Sequence, residues 1–162
     1  MNNRLITIFI CFAAAAAVIL LVFFNRSSSA GPASGQLAIE AGGKDISYEF
    51  DESIGEFQTF DTKMTRKNGD VFDRNYSGIE LSAILSQANI TVTPDMTVRA
   101  VCADNYEVEL TGAEILDPGN IYIVTRESGE PLSEDDGPFM MVINHDEFST
   151  RWARQIVKII AE

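Results

Sequence analysis

The chain has 162 residues, with 24 Asp and Glu against 12 Lys and Arg, 46% hydrophobic residues, one His and two Cys. That length excludes a multidomain machine. A formal charge of −12 excludes a nucleic-acid binder, because phosphate recognition depends on Lys and Arg neutralising backbone charge, and no basic arm rescues that class.

Much of the apolar content sits in one block. From Leu5 to Phe24 the sequence LITIFICFAAAAAVILLVFF carries no charge, and Thr7 is its one polar side chain. Twenty helical residues rise roughly 30 Å, the hydrocarbon thickness of a bilayer, so residues 1–24 are predicted to be an N-terminal transmembrane anchor. A cleaved signal peptide ending near Ser28-Ser29-Ala30 is the alternative, although signal h-regions usually run only about 7 to 15 residues. Arg4 and Arg26 flank the block equally and give no orientation. The acidic, signal-like layout predicts a single-pass membrane protein with its C-terminal part outside the cytoplasm, or a secreted protein if the segment is removed.

Residues 25–35, NRSSSAGPASG, cannot bury enough apolar surface to order themselves and are expected to form a flexible tether. The remaining residues, 36–162, carry 24 carboxylates against 10 cations, a formal −14, and are long enough for one cored domain. Cys11 lies in the apolar block and Cys102 in the soluble part, so no intrachain disulfide is expected.

In the domain, 36–41 and 45–50 flank Gly42-Gly43, and 57–66 and 71–76 flank Lys67-Asn68-Gly69-Asp70, which predicts two hairpins. Ser77-Gly78-Ile79-Glu80 has capping-box spacing, and Ile79, Ile84, Leu85 and Ala88 follow at helical intervals, so a helix is predicted over 78–88 with Asn89 ending it. Strands are predicted at 97–103 and 106–111 around Asp104-Asn105. Thr111-Gly112-Ala113-Glu114 is a second cap for a short helical turn. Strands at 120–126, 139–144 and 155–161 complete an α+β domain dominated by a mixed or antiparallel sheet.

Four motifs in order carry a family resemblance. They are Tyr76-Ser77-Gly78-Ile79-Glu80-Leu81 with the helix after it, Val98 to Tyr106, Ser128-Gly129-Glu130-Pro131-Leu132 running to Gly137-Pro138, and the basic strand from Arg151 to Ile160. Together they resemble the oxidoreductase molybdopterin-binding domain of the sulfite oxidase type, in its short stand-alone form, over most of the soluble chain. The resemblance implies a mixed sheet with a crevice that in full-length relatives holds a molybdenum cofactor.

Two cofactor determinants of that family are missing. The metal is held by a cysteine thiolate from the strand before the Gly-x-x-Leu helix, and 57–76 contains no Cys. Relatives also grip the pterin phosphate with an Arg soon after the Gly-Pro, where this chain reads Phe139-Met140-Met141; Met offers neither the charge nor the planar fork of Arg.

Cys102 is therefore the one soluble thiol available as a displaced metal ligand or redox group, set against a plain buried hydrophobe. Asp104 and Glu107 nearby should raise its pKa. By resemblance, Tyr106 falls at a crevice tyrosine and Arg154 near the cofactor tail, and Asn105 and Arg151 join them as cofactor-binding candidates; pairing with the surplus carboxylates is the competing account of the two arginines. Alternation over 155–161 sets Ile156, Lys158 and Ile160 on one face. His145 is expected in a solvated loop, and Glu134-Asp135-Asp136 lacks the spacing of a calcium loop.

The resulting expectation is a membrane-anchored accessory module for a small ligand or protein partner, with no bound cofactor. An active molybdopterin-dependent oxidoreductase using Cys102, and a structural envelope protein, are the alternatives.

Overall fold

The computed structural model of the protein describes residues 35–53 and 56–162, all within the unit Pro32–Glu162. The apolar block, Cys11 and the predicted tether up to residue 34 lie outside the described residues. Among the described residues, no helix is long and apolar enough to cross a membrane.

Both predicted hairpins form. β1 (Gln36–Ala41) and β2 (Lys44–Glu49) pair antiparallel across Gly42 and Gly43, whose φ angles of 55° and 73° are left-handed. Two-residue hairpins need that geometry, and glycine adopts it at no steric cost. β3 (Gln58–Thr65) and β4 (Val71–Glu80) pair across the Lys67–Asp70 turn, where the Asn68 side chain accepts the Asp70 N–H at 3.1 Å.

The helix start differs from the expectation. β4 continues through Ser77-Gly78-Ile79-Glu80, and α1 spans Leu81–Gln87 with no side-chain cap hydrogen bond from Glu80. The cause is tertiary. β4 pairs with β7 (Ile121–Glu127) across an irregularity at Ser77/Gly78, and a Cβ on Gly78 would sit 2.2 Å from the Ile123 carbonyl oxygen. Glycine is thus fixed here by the close approach of a neighbouring strand, a signal that capping-box spacing cannot convey. The Glu80 carboxylate instead accepts from the Tyr122 hydroxyl at 3.1 Å and the Gly119 N–H at 3.2 Å. The far end of α1 closes as predicted: Asn89 has φ 60°, its N–H reaches the Ser86 carbonyl, and the Ile90 N–H reaches the Leu85 carbonyl, which together form a Schellman motif.

β5 (Thr97–Cys102) and β6 (Glu107–Thr111) form a third hairpin. It leads into α2 (Gly112–Leu116), whose capping box is complete: the Thr111 side chain accepts the Glu114 N–H, and the Glu114 side chain accepts the Thr111 N–H. β7, β8 (Glu130–Pro131), β9 (Met140–Ile143), a single 3₁₀ turn at Ser149–Arg151 and β10 (Ile156–Ala161) follow.

The strands make two sheets, one ordered β2-β1-β10-β5-β6 and the other β3-β4-β7-β8, with β9 also paired to β7. β1 and β10 are parallel, and every other pair is antiparallel. The mixed, strand-rich α+β class expected from the sequence is what forms.

Alternation divides the second sheet. Ile79, Ile123, Met141 and Ile143 turn toward the main core with Leu37, Ile39, Val98, Ile159 and the α1 residues Leu81, Ile84 and Leu85. Tyr76, Tyr122, Val124, Met140 and Val142 turn the other way and build a smaller cluster under Phe60, Leu132 and Trp152. In β10 a bulge between Ile156 and Lys158 breaks the simple period. Ile156 therefore shares the buried side with Ile159 and Ala161, and Val157 is exposed, contrary to the facing read from strict alternation.

Since the Gly78 contact is with backbone, which cannot rotate away, Gly78→Ala is expected to cost about 3 kcal/mol, the upper range for overpacking. Urea unfolding checks this; a loss of a few tenths would show that the β4–β7 crossing has slack.

Candidate functional site

The segment between β9 and β10 places the candidate residues. The Met141 N–H donates to the Ala153 carbonyl at 2.7 Å, the Ile156 N–H to the Phe139 carbonyl at 2.9 Å, and the Gln155 N–H to the Asp136 carbonyl at 3.0 Å. The Trp152 indole N–H donates to the Ile143 carbonyl at 3.0 Å, and the ring meets Tyr76 edge-on at 6.0 Å. With its one donor used, Trp152 serves as a fixed wall.

Two hollows share Trp152 and Arg154 in their walls. The first, about 230 Å³, is walled by Met64 and Met140 and rimmed by Arg66, Lys67 and Arg154, with the Ser149 and Thr150 hydroxyls beside them. The Arg66 guanidinium lies 4.7 Å from the centroid of the Phe72 ring. Neither Arg66 nor Lys67 forms an ion pair with a described residue, although the domain carries a large acidic excess. The second hollow, about 270 Å³, is lined by Cys102, Asp104, Tyr106, Asp135 and Gln155 together with the shared pair.

Of the residues singled out from sequence, Cys102, Tyr106 and Arg154 therefore meet at one hollow. Asn105 occupies the exposed β5–β6 turn with φ 65°. Arg151 is held elsewhere: it donates to both Asp146 oxygens and to Glu114 of α2. These bonds, Asp146 first, raise its pKa further. Arg154 has 59% of its side chain exposed and pairs through Nε with Asp136 at 3.0 Å, leaving the far side of its fork for another anion.

Cys102 is 4% exposed and belongs to the main core. Burial pushes its thiol pKa up and Asp104 adds to this, against a smaller opposing effect of a backbone hydrogen bond from Arg154. A neutral thiol is a poor nucleophile and a poor metal ligand. His145 contacts Asp117 through Nδ1 at 2.6 Å, both groups about half exposed. Asp136 of the acidic stretch accepts from Ser133 and Arg154, and among the described residues no cluster of His, Cys, Asp and Glu could hold a metal ion.

Sequence reasoning missed Met64, Arg66 and Lys67. The two cations adjoin the Asn-Gly turn and were absorbed into its turn chemistry; only the pairing of β3 with β4 and the return of the chain at 149–154 bring them beside Arg154.

No family model and no curated protein matches the chain. Among solved structures, the sulfane dehydrogenase SoxCD from Paracoccus pantotrophus is similar, with a TM-score of 0.62 and 15% sequence identity over 78% of this chain and 37% of that one. The chain thus spans little more than a third of that protein's length, and at this identity the likeness is one of fold alone.

Two outcomes follow from the geometry. Alkylation of the native protein, read by peptide mass spectrometry, should modify Cys102 only as fast as the fold opens; rapid native labelling would contradict its burial. Burial raises the Glu114 pKa, but the Thr111 N–H, Arg151 and the Thr111 hydroxyl together hold it below the usual range. A depressed carboxyl stabilises the fold above its unfolded pKa, about 4.3, and that contribution disappears as pH falls through the lower folded value. Glu114→Gln should therefore cost about 1 kcal/mol near neutrality, with the difference from wild type shrinking in acid; a pH-independent difference in urea unfolding would refute this.

Proposed function

We propose that the chain is a membrane-tethered, extracytoplasmic binding module whose basic hollow takes a small anion. One observation carries this reading. In a domain of −14, where most Arg and Lys side chains are matched with carboxylates, Arg66 and Lys67 are left without an ion pair among the described residues and face one concavity together with Arg154. Unmatched cations over a partly apolar floor raise the local concentration of anions and supply charge-assisted hydrogen bonds. The Ser149 and Thr150 hydroxyls add neutral donors; Ser149 already donates to the Thr65 carbonyl at 2.9 Å, so Thr150 is the freer of the two.

The likeness to the molybdopterin-domain type raises the question of whether this chain holds that cofactor. Its residues do not fit the group. Cys102 is a core thiol whose pKa is raised by burial and by the charge of Asp104. On the β3–β4 hairpin, where the family would supply its thiolate, Met64 lines the hollow, and Met140 stands where an Arg would grip the pterin phosphate. Thioethers carry no negative charge for a high-valent metal and no donor for a phosphate. The oxidoreductase reading rests on the fold likeness to a sulfane dehydrogenase.

The test uses the full-length chain, purified from a host that makes the molybdenum cofactor. Metal analysis is expected to show molybdenum far below one atom per chain. At low millimolar concentration, where their general exclusion from the protein surface stabilises little, phosphate and sulfate are expected to raise the melting temperature more than chloride at equal ionic strength, and the Arg66→Gln/Lys67→Gln double variant is expected to lose that excess. Stoichiometric molybdenum, or an anion effect that survives the double substitution, would overturn the proposal.

A further inference from the structure

The two hollows that share Trp152 and Arg154 have opposite character. On one side stand Arg66, Lys67 and Arg154; on the other stand Asp104 and Asp135, neither in an ion pair with a described residue, together with Tyr106, which is 49% exposed. Asp104 accepts the Tyr106 backbone N–H at 3.0 Å, which ties that carboxylate to the turn below the ring. Carboxylates beside exposed aromatic rings suit an organic ammonium group, which gains both charge attraction and cation–π contact. The one cation lining this side, Arg154, already pairs with Asp136, and the two carboxylates disfavour phosphate or sulfate here.

Resting on the anion reading above, we propose that the two hollows form one dipolar site and that its occupant is a small zwitterion, with a phosphomonoester seated among Arg66, Lys67 and Arg154 and a protonated amine seated between Asp104, Asp135 and Tyr106. The divider supports this arrangement. Trp152 is fixed by its bond to the Ile143 carbonyl and offers an aromatic surface to both sides. Arg154 is held through Nε by Asp136, so its remaining N–H groups can turn to the phosphate without an isolated charge being left behind. A dianionic head suits three cations better than a singly charged diester does. Joining the two charged groups in one molecule makes the second contact intramolecular, so the pair binds more tightly than either part.

Calorimetry on the full-length chain in a non-ionic detergent, with inorganic phosphate, ethanolamine, phosphoethanolamine and N-acetylated phosphoethanolamine as probes, tests this. Phosphoethanolamine is expected to bind about tenfold or more tightly than phosphate, and the acetylated form, which keeps the phosphate and loses the ammonium, is expected to fall back to the level of phosphate. Asp104→Asn/Asp135→Asn, or Asp135→Asn by itself if the double variant does not fold, should erase the surplus and leave phosphate binding intact. Equal affinity for phosphate and phosphoethanolamine, or a surplus that survives acetylation, overturns the zwitterion while leaving the anion site standing. Failure of every probe, phosphate included, overturns the anion site and this inference with it. Glycerophosphoethanolamine, the diester found in a lipid headgroup, is the remaining arm: weaker binding than the monoester supports a free solute, and tighter binding transfers the same zwitterion site to a lipid.

Discussion

The backbone bonds between Trp152–Ile156 and the strand opposite them are what the site depends on. Through Met141 N–H to Ala153, Ile156 N–H to Phe139 and the indole N–H to Ile143, the return of the chain from the second sheet to the first is fixed at several points. These groups are largely buried, so leaving any of them unmade would cost more than the bond itself yields. Arg154 and Gln155 take their positions directly from that stretch, and the Asp135–Asp136 loop takes its position through the Gln155 N–H and the Gln155 amide, which reaches the Glu134 carbonyl, whereas Arg66 and Lys67 come from the β3–β4 hairpin and Asp104 from the β5–β6 turn.

The two faces of the second sheet are committed to different clusters. The inward residues of β7 and β9 are committed to the large core shared with the other sheet and with α1. The outward ones, Tyr122, Val124, Met140 and Val142, are buried beneath Phe60, Leu132 and Trp152, which are themselves only partly buried. Phe60 stacks on Tyr122 at 4.1 Å between centroids, and the Tyr122 hydroxyl is bound to Glu80. Burial, and then the Glu80 charge, push that phenol up to about 12, so it stays neutral and donates. The outer cluster is thus finished on one flank by aromatic stacking, while its member Met140 lines the basic hollow together with Met64.

Local chemistry made most of the architecture legible in the sequence. Gly42-Gly43, Asn68-Gly69, Asn89 and the Thr111–Glu114 box each dictate a backbone geometry by themselves, and each appears where expected. What stayed hidden depends on partners distant in the chain. Gly78 reads as a helix start until β7 lies against it, and the facing of β10 cannot be known before its bulge opposite β5 is seen. The site divides in the same way. Cys102, Tyr106 and Arg154 could be singled out as residue types within a family pattern, whereas Met64, Arg66 and Lys67 gain meaning only through a hairpin that brings them to a segment more than eighty residues later. Arg151, three positions from Arg154, is drawn to Asp146 and Glu114 by carboxylates whose positions the sequence did not reveal.

The parallel pairing of β1 with β10, with Ala38 opposite Lys158 and Ala41 opposite Ala161, sets a polarity for the whole domain. Where β1 begins, Gly35 accepts the Phe50 N–H and lies against the Phe139 ring, at the same end of the sheet as Ile156 and Cys102. Glu162 finishes at the opposite end, bonded in both directions to Thr97. A fluorescent reporter or surface-coupling handle joined after Glu162 would thus sit at the end of the sheet away from Cys102 and Ile156.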